Sequence, residues 1–174
     1  GLEDPPESLE EVVIDVRNAA IKVVTGDEVK IEYEESDRTK YSIVYDEAEK
    51  TLVMEEENSV PKIFGMFNFH SQVITLTVPK VGKLNLESTN GKIEVPSGVY
   101  DEIDIDTTNG VVEVRDVISV RGVDASTTNS KIVLSNVKTE SGEIVAYSTN
   151  GIIELHDVVA GKTEIRATNG KISA

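Results

Sequence analysis

The 174-residue chain has no cysteine, no tryptophan and only two histidines, His70 and His156. The missing thiols exclude disulfides, thiolate metal ligands and cysteine catalysis, and two histidines are too few for a histidine-rich metal centre. Basic residues are also scarce, because 17 Lys and Arg stand against 32 Asp and Glu, for a formal net charge of −15. A surface of this charge repels a phosphate backbone, which argues against nucleic acid as a partner.

A long apolar run is missing as well. The longest stretch without a charged residue, residues 63–79, is interrupted by Asn68, His70 and Gln72 and ends in proline, so it cannot span a membrane. The first residue is Gly1 rather than Met, and residues 3–8 are polar. We therefore expect residues 1–8 to be a linker or an expression remnant, with any signal peptide or anchor outside this sequence.

What the sequence does contain is a repeat. The tripeptide Thr-Asn-Gly or Thr-Asn-Ser occurs five times, and its asparagines lie 19, 20, 21 and 19 residues apart. This period suits a β-repeat that makes one coil per unit and is too short for two-helix repeats. The asparagines are Asn90, Asn109, Asn129, Asn150 and Asn169, and the threonines before them are Thr89, Thr108, Thr128, Thr149 and Thr168.

Apolar residues alternate with polar ones on both sides of each asparagine. In the first full repeat, Leu84 and Leu86 precede Asn90, Ile93 and Val95 follow it, and most positions between them are charged. Alternation of this kind is typical of a strand with one buried face. Each repeat is therefore predicted to be a strand, an Asn corner and a second strand.

The same template extends to the N-terminus and divides the chain. We expect a single domain over residues 9–174, with a first degenerate coil over 9–26 centred on Asn18, an inserted β-rich segment over 27–81 and five full coils over 82–174. Asn18 lacks the neighbouring Thr and Gly, which predicts a terminal coil because end repeats are often atypical.

The inserted segment holds an apolar cluster. Phe64, Met66, Phe67 and Phe69 lie close together in it, and we expect them to cover the open end of the stack. Contact with a partner or a membrane is the alternative role for this cluster.

Two all-β folds satisfy the alternation. The first is a β-solenoid with one sheet per face, whose coils of about 20 residues stack with each Asn at a corner. The second is an antiparallel meander in which Asn-Gly forms type I′ hairpins. We favour the solenoid because identical residues at identical positions suit stacking, and because Ser130 replaces glycine where a type I′ turn needs positive φ.

These residues resemble a known family. The strand end Val78-Pro79-Lys80, followed by coils of the form Leu-x-Leu-x-Ser/Thr-Thr-Asn-Gly-x-Ile-x-Val, is similar to the bacterial domain-of-unknown-function family that carries the label "putative adhesin". The resemblance covers the chain from about Leu9. It implies a β-solenoid that is exported or associated with the bacterial cell envelope, and it supplies no catalytic residues.

The Asn and Thr columns are predicted to be structural. We expect the asparagines to bond the coils above and below and to satisfy buried backbone groups at the corners, with a polar ligand ladder as the alternative. An ice-binding face would need a second row of hydroxyls, but the positions two residues before the threonines carry Glu87, Asp106, Ser126, Tyr147 and Arg166.

No metal or cofactor site is predicted. Residues 104–115 superficially match a calcium loop, yet Asn109 takes the place of the required glycine and Arg115 that of the bidentate glutamate.

Carboxylates for glycoside chemistry are available. Asp104 with Asp124, or the column of Glu94, Glu113 and Glu154, could serve a carbohydrate-active enzyme on a β-helix scaffold. We expect these regular columns to be solvated surface and the protein to have no catalytic activity.

The leading functional hypothesis is a non-enzymatic, envelope-associated structural or binding module for an unknown protein or glycan. A carbohydrate-active enzyme and an extracytoplasmic sensor or regulatory partner are the alternatives. Residues 170–174 match the start of a post-corner strand and end without a cap. We therefore expect either further native sequence or self-association through this edge.

Overall fold

A computed structural model describes residues 9–57 and 72–174 of the chain. These two ranges contain fifteen strands and no helix, which confirms the all-β prediction. The cluster of Phe64, Met66, Phe67 and Phe69, and also His70, lie outside the described residues.

The strands follow the repeat closely. Their bounds are β1 Leu9–Val16, β2 Ala20–Thr25, β3 Lys30–Glu32, β4 Tyr41–Asp46, β5 Thr51–Glu56, β6 Val73–Val78, β7 Val81–Ser88, β8 Ile93–Val95, β9 Gly98–Thr107, β10 Val112–Thr127, β11 Ile132–Lys138, β12 Glu143–Ser148, β13 Ile153–Val159, β14 Lys162–Ala167 and β15 Ile172–Ser173.

The strands that precede the Asn corners stack side by side in parallel, in the order β5, β1, β7, β9, β10, β12, β14. Equivalent residues of successive repeats are register partners, as Leu84, Ile103, Val123 and Ile144 show. We call this the pre-corner ladder. Its register places identical positions of the repeat directly above one another.

The strands that follow the corners form a second parallel ladder, in the order β6, β2, β8, β10, β11, β13, β15. We call this the post-corner ladder. Residues 112–118 of β10 belong to it, whereas residues 122–127 belong to the pre-corner ladder, so β10 joins the two into one mixed sheet. Successive coils therefore stack in a solenoid-like β fold.

The hairpin alternative is wrong for this chain. The only antiparallel pairs among the described strands are β3 with β6 and β4 with β5, and none of them flanks an Asn corner. At the Thr-Asn-Gly and Thr-Asn-Ser corners, no Asn, Gly or Ser has φ in the left-handed region, which a type I′ turn would require.

The core lies between the two ladders and consists mainly of inward-facing Val, Ile and Leu. Leu84, Leu86, Ile103 and Ile105 of the pre-corner ladder and Ile93 of the post-corner ladder are fully buried. Burial of one such side chain stabilises the fold by about 1.5–3 kcal/mol. Each coil therefore gains its stability mainly from the apolar positions that alternate along its strands.

The coil around Asn18 is not terminal, contrary to the expectation from its degenerate sequence. Strand β1 pairs with β5 as well as β7, and β2 pairs with β6 as well as β8. The segment between β2 and β7 thus adds strands beyond this coil, and β4 and β3 then pair antiparallel with β5 and β6. This arrangement pairs edges that would otherwise be open.

Candidate functional site

The six predicted asparagines are brought together in one chain of side-chain hydrogen bonds. Each Nδ2 donates to the Oδ1 of the asparagine in the neighbouring coil. The distances are 2.7 Å for Asn90 to Asn18, 2.8 Å for Asn109 to Asn90, 2.8 Å for Asn129 to Asn109, 2.7 Å for Asn150 to Asn129 and 3.0 Å for Asn169 to Asn150. All six residues are exposed, so the Asn ladder lies on the surface.

This geometry corrects one expectation about the asparagines. Their side chains bond one another, whereas the corner backbone is satisfied by other backbone groups and by buried hydroxyls. For example, the N–H groups of Thr108 and Asn109 both donate to the carbonyl oxygen of Thr89, at 3.2 and 2.8 Å. The five predicted threonines are exposed, and their N–H groups make the equivalent backbone bonds.

A buried hydroxyl column, which the sequence analysis missed, lies two residues before the asparagines. Ser88 Oγ donates to the carbonyl oxygen of Ala19 at 2.8 Å and accepts the N–H of Gly91 at 3.0 Å. The equivalent buried residues are Thr107, Thr127 and Ser148. The available signal was a Ser or Thr at a position where alternation predicts an inward side chain.

Glycine is needed at positions 110 and 151 because two backbones approach closely there. A Cβ atom on Gly110 would overlap the carbonyl oxygen of Gly91, and one on Gly151 would overlap that of Ser130. The corner at Ser130 does not have positive φ, so a conformational reason for glycine there is wrong. The requirement is steric.

A second corner recurs seven residues after the first. Asp116, Asn136 and Asp157 occupy equivalent positions with φ between 52° and 53°. Asp and Asn tolerate this left-handed conformation better than other side chains. Asn136 Nδ2 also donates to Asp116 Oδ1 at 2.9 Å. The recurring Asp-Val or Asn-Val dipeptide was the signal in the sequence.

The candidate acids of the post-corner ladder are paired with bases. Arg115 contacts Glu94 at 2.6 Å and Glu113 at 2.8 Å, and Lys92 Nζ lies 3.0 Å from Glu113. Val133 separates this group from Glu154 in the register.

Glu154 has its own basic neighbours. Lys131 Nζ lies 3.8 Å from one of its carboxylate oxygens, and His156 Nε2 lies 3.9 Å from the other. The glutamate column therefore consists of two separate groups of paired acids and bases.

The acids of the pre-corner ladder form an acidic face, which we define as Asp15, Glu87, Asp104, Asp106 and Asp124. Asp104 and Asp124 are register partners and point outward, because their neighbours along the strand are buried. Burial raises the pKa of Asp104, and nearby carboxylates add to the shift while Lys83 opposes it. Burial followed by carboxylate repulsion likewise raises the pKa of Asp124 and of Glu87.

Metal-binding geometry is not found on this face or elsewhere in residues 9–57 and 72–174. No group of three or more His, Asp or Glu side chains there could hold a metal ion. In the same ranges, no helix is present that could cross a membrane.

An exposed apolar row crosses the stack beside the second corner. Val99, Ile118, Lys138 and Val159 are register partners on four neighbouring strands, and we call this row the apolar strip. Its three apolar members are 63%, 43% and 57% exposed, respectively. No expectation from the sequence covered the strip, because its residues lie outside the columns next to the asparagines.

The surroundings of the strip are concave and partly acidic. Ile118 and Lys138 line a small cavity of about 140 Å³ together with Val117 and the second-corner residues Asp116 and Asn136. Two positions before the strip, the second corner supplies the exposed carboxylates Asp116 and Asp157.

Comparison with known proteins finds a similar solved structure and a matching family. The crystal structure of a "putative cell adhesion protein" from Clostridium sporogenes is similar, with a TM-score of 0.54 over 98% of this chain and 96% of that one. The two sequences are 12% identical, so the likeness concerns the fold. No curated protein matched the chain. The family model described as Toastrack DUF4097 matches residues 9–174. The family resemblance read from the repeats is confirmed, and the chain belongs to the Toastrack DUF4097 family.

Proposed function

We propose that this protein is a non-enzymatic binding module of the bacterial cell envelope that holds a partner protein on its apolar strip. The strip carries the proposal, because three large β-branched side chains in register expose about half of their surface. Single exposed apolar residues are ordinary, whereas apolar side chains grouped on neighbouring strands, here with Lys138 between Ile118 and Val159, mark an interaction surface. The envelope location is supported by the family resemblance and by the name of the cell adhesion protein with the same fold.

The charges around the strip indicate the chemistry of the partner. Asp116 and Asp157 flank it, Lys138 is the single cation within it, and the whole chain carries a formal charge of −15. An anionic membrane or polymer would be repelled by this field. A protein segment in which apolar side chains alternate with Lys or Arg fits both the row and its acidic border.

The geometry of the acids supports binding over glycoside hydrolysis. Glycosidase carboxyls flank the scissile bond, whereas Asp104 and Asp124 project side by side from one sheet face. Glu94 and Glu113 are engaged by Arg115 and Lys92. Burial and the repulsion of neighbouring carboxylates are sufficient causes of the raised pKa values at Asp104 and Asp124.

A peptide titration tests the proposed surface. We expect a short peptide of alternating valine and lysine to bind, and its valine–glutamate counterpart not to bind. Ile118→Ser and Val159→Ser should each weaken binding by about ten-fold, or about 1.4 kcal/mol. Val44→Ser is the matched control, because Val44 is 58% exposed on the distant strand β4. Equal binding of both peptides, or unchanged binding by the strip variants, would contradict the proposal.

The enzyme alternative makes a different prediction. If Asp104 and Asp124 act on a glycan, the purified protein releases reducing sugar and Asp124→Asn abolishes that release. We expect no turnover of plant or bacterial polysaccharides by the wild-type protein. Turnover that Asp124→Asn removes would replace the binding proposal.

A further inference from the structure

The corners contain a reactive dipeptide in four copies. Asn-Gly occurs at Asn90, Asn109, Asn150 and Asn169. Because glycine has no side chain, its backbone nitrogen can reach the Asn side-chain carbonyl carbon more easily than that of any other residue. Such dipeptides are prone to deamidation when the glycine N–H is free.

Three of these glycines have their N–H groups held by the buried hydroxyl column. The N–H of Gly91 donates to Ser88 Oγ at 3.0 Å, that of Gly110 to Thr107 Oγ1 at 3.0 Å, and that of Gly151 to Ser148 Oγ at 2.9 Å. Ser88 and Thr107 are almost completely inaccessible to water, as is Ser148. The bond therefore points the attacking nitrogen into the protein and away from the Asn side chain.

The fourth corner lacks this restraint. The residue two positions before Asn169 is Ala167, which has no side-chain hydroxyl to accept the N–H of Gly170. Asn169 and Gly170 are both exposed, so water reaches the dipeptide. We infer that Asn169 is a spontaneous deamidation site, distinguished from the other three Asn-Gly corners by the alanine at position 167.

The reaction needs only water as co-reactant. The Gly170 nitrogen, after losing its proton to water or hydroxide, attacks Cγ of Asn169 and forms a new C–N bond. The Cγ–Nδ2 bond then breaks and ammonia leaves, which gives a five-membered succinimide. Water opens this ring at either carbonyl to give aspartate or isoaspartate, with no oxidant or reductant involved.

The product alters the end of the Asn ladder. Nδ2 of Asn169 donates to Asn150 Oδ1 at 3.0 Å, and neither product can make this bond because its carboxylate has no N–H. Isoaspartate also lengthens the main chain directly before β15. The modification therefore introduces a negative charge and loosens the coil formed by β14 and β15.

Peptide mapping of the aged protein tests the inference. The full chain is incubated at mildly alkaline pH, and mass spectrometry measures aspartate and isoaspartate at all four sites. We expect Asn169 to react several-fold faster than Asn90, Asn109 or Asn150. In urea the four rates should converge, since the difference arises from the folded structure.

Reciprocal variants assign the cause. Ala167→Ser should slow the reaction at Asn169 several-fold, and Ser148→Ala should accelerate it at Asn150 without changing Asn109. Hydrogen exchange of β12 and β14 would show that both variants remain folded. Equal rates at the four sites in the folded protein would overturn the inference. So would an Asn169 rate that Ala167→Ser leaves unchanged, because fraying of the last coil would then be the cause.

Discussion

Individual side chains hold neighbouring coils together in two environments. The Asn ladder is exposed, so water can replace its bonds, whereas the hydroxyls of Ser88, Thr107, Thr127 and Ser148 are buried. A buried polar group that loses its partner costs about 1–3 kcal/mol, more than an exposed one. The hydroxyl column is therefore expected to contribute more to stability per residue than the asparagines that mark the repeat.

Two equally buried threonines test this expectation. Thr127 and Thr139 are each 4% exposed, but Thr127 Oγ1 donates to the carbonyl oxygen of Gly110 at 3.1 Å, whereas Thr139 Oγ1 has no partner among the described residues. Thr127→Val should lower the free energy of unfolding by about 1–3 kcal/mol, and Thr139→Val should leave it unchanged or raise it. Urea unfolding measures both. Equal losses of unfolding free energy in the two variants would show that the hydrogen bond to Gly110 does not stabilise the fold.

The asparagines allow a comparison of the same kind. Asn109 donates to Asn90 and accepts from Asn129, whereas Asn18 only accepts from Asn90. Because the ladder is exposed, Asn109→Ala should lower the free energy of unfolding by about 1 kcal/mol, and Asn18→Ala should lower it by about half as much. Thermal unfolding of the two variants measures the two losses of stability and their ratio. A larger loss at Asn18 than at Asn109 would contradict the additive ladder.

At the scale of the corner element, glycine serves close packing between coils. A Cβ on Gly110 would overlap the backbone of the neighbouring coil, whereas one on Gly161 would meet its nearest atom at 3.3 Å. Gly110→Ala should therefore cost about 1–3 kcal/mol or more, as overpacking does. Gly161→Ala, the control, should cost less than 1 kcal/mol. A denaturant titration in which both variants unfold together would contradict the steric explanation.

The coils themselves could be predicted from sequence because their signals are local. Alternating residues such as Leu84, Leu86 and Ile93 fix the buried face of a strand without reference to any other coil, and the structure buries all three. The repetition of Asn at one position also correctly predicted that equivalent strands of successive repeats pair in parallel.

The position of the first coil in the stack could not be predicted from sequence in the same way. Strand β1 pairs with β5, which lies about forty residues later and carries no Thr-Asn-Gly signal. Such a contact depends on which open strand edge is stabilised most by pairing with another strand. A local sequence pattern does not contain that information. For Ser88 the inward position is local information, but its hydrogen-bond acceptor could not be predicted because Ala19 lies 69 residues away.

Across the whole molecule, the two outer faces differ in charge balance. Acids of the post-corner ladder are paired with Lys and Arg, whereas the acidic face gathers carboxylates with few bases. Asp124 lies near Asp104, Asp106, Glu143 and Glu102, and burial together with these charges raises its pKa above the ordinary 3.8. The ionised acidic face therefore reduces stability at neutral pH.

The sign of this effect is testable. Folding raises the pKa of Asp124, so the folded state binds its proton more tightly, and stability falls as pH rises through the folded pKa. Asp124→Asn should therefore be more stable than wild type at neutral pH, and the difference should disappear below pH 3.8. Added salt should also reduce it. Denaturant unfolding across pH measures the difference, and an Asn variant that is less stable at neutral pH would contradict this account.

The central structural claim is that successive repeats are parallel neighbours, and the lack of cysteine permits a direct measurement of it. Thr108 and Thr128 lie in adjacent coils, with the Thr128 N–H 3.2 Å from the Thr108 carbonyl oxygen, and Thr89 lies one coil further away. Adjacent strands are about 4.8 Å apart, within disulfide range, whereas alternate strands are beyond it. Under mild oxidation, the Thr108→Cys/Thr128→Cys variant should form an intramolecular disulfide, and Thr89→Cys/Thr128→Cys should not. In an antiparallel meander one strand would lie between the strands that end at Thr108 and Thr128, which would place the two residues beyond disulfide range. Failure of the first pair to cross-link in the folded protein would therefore contradict the parallel stack.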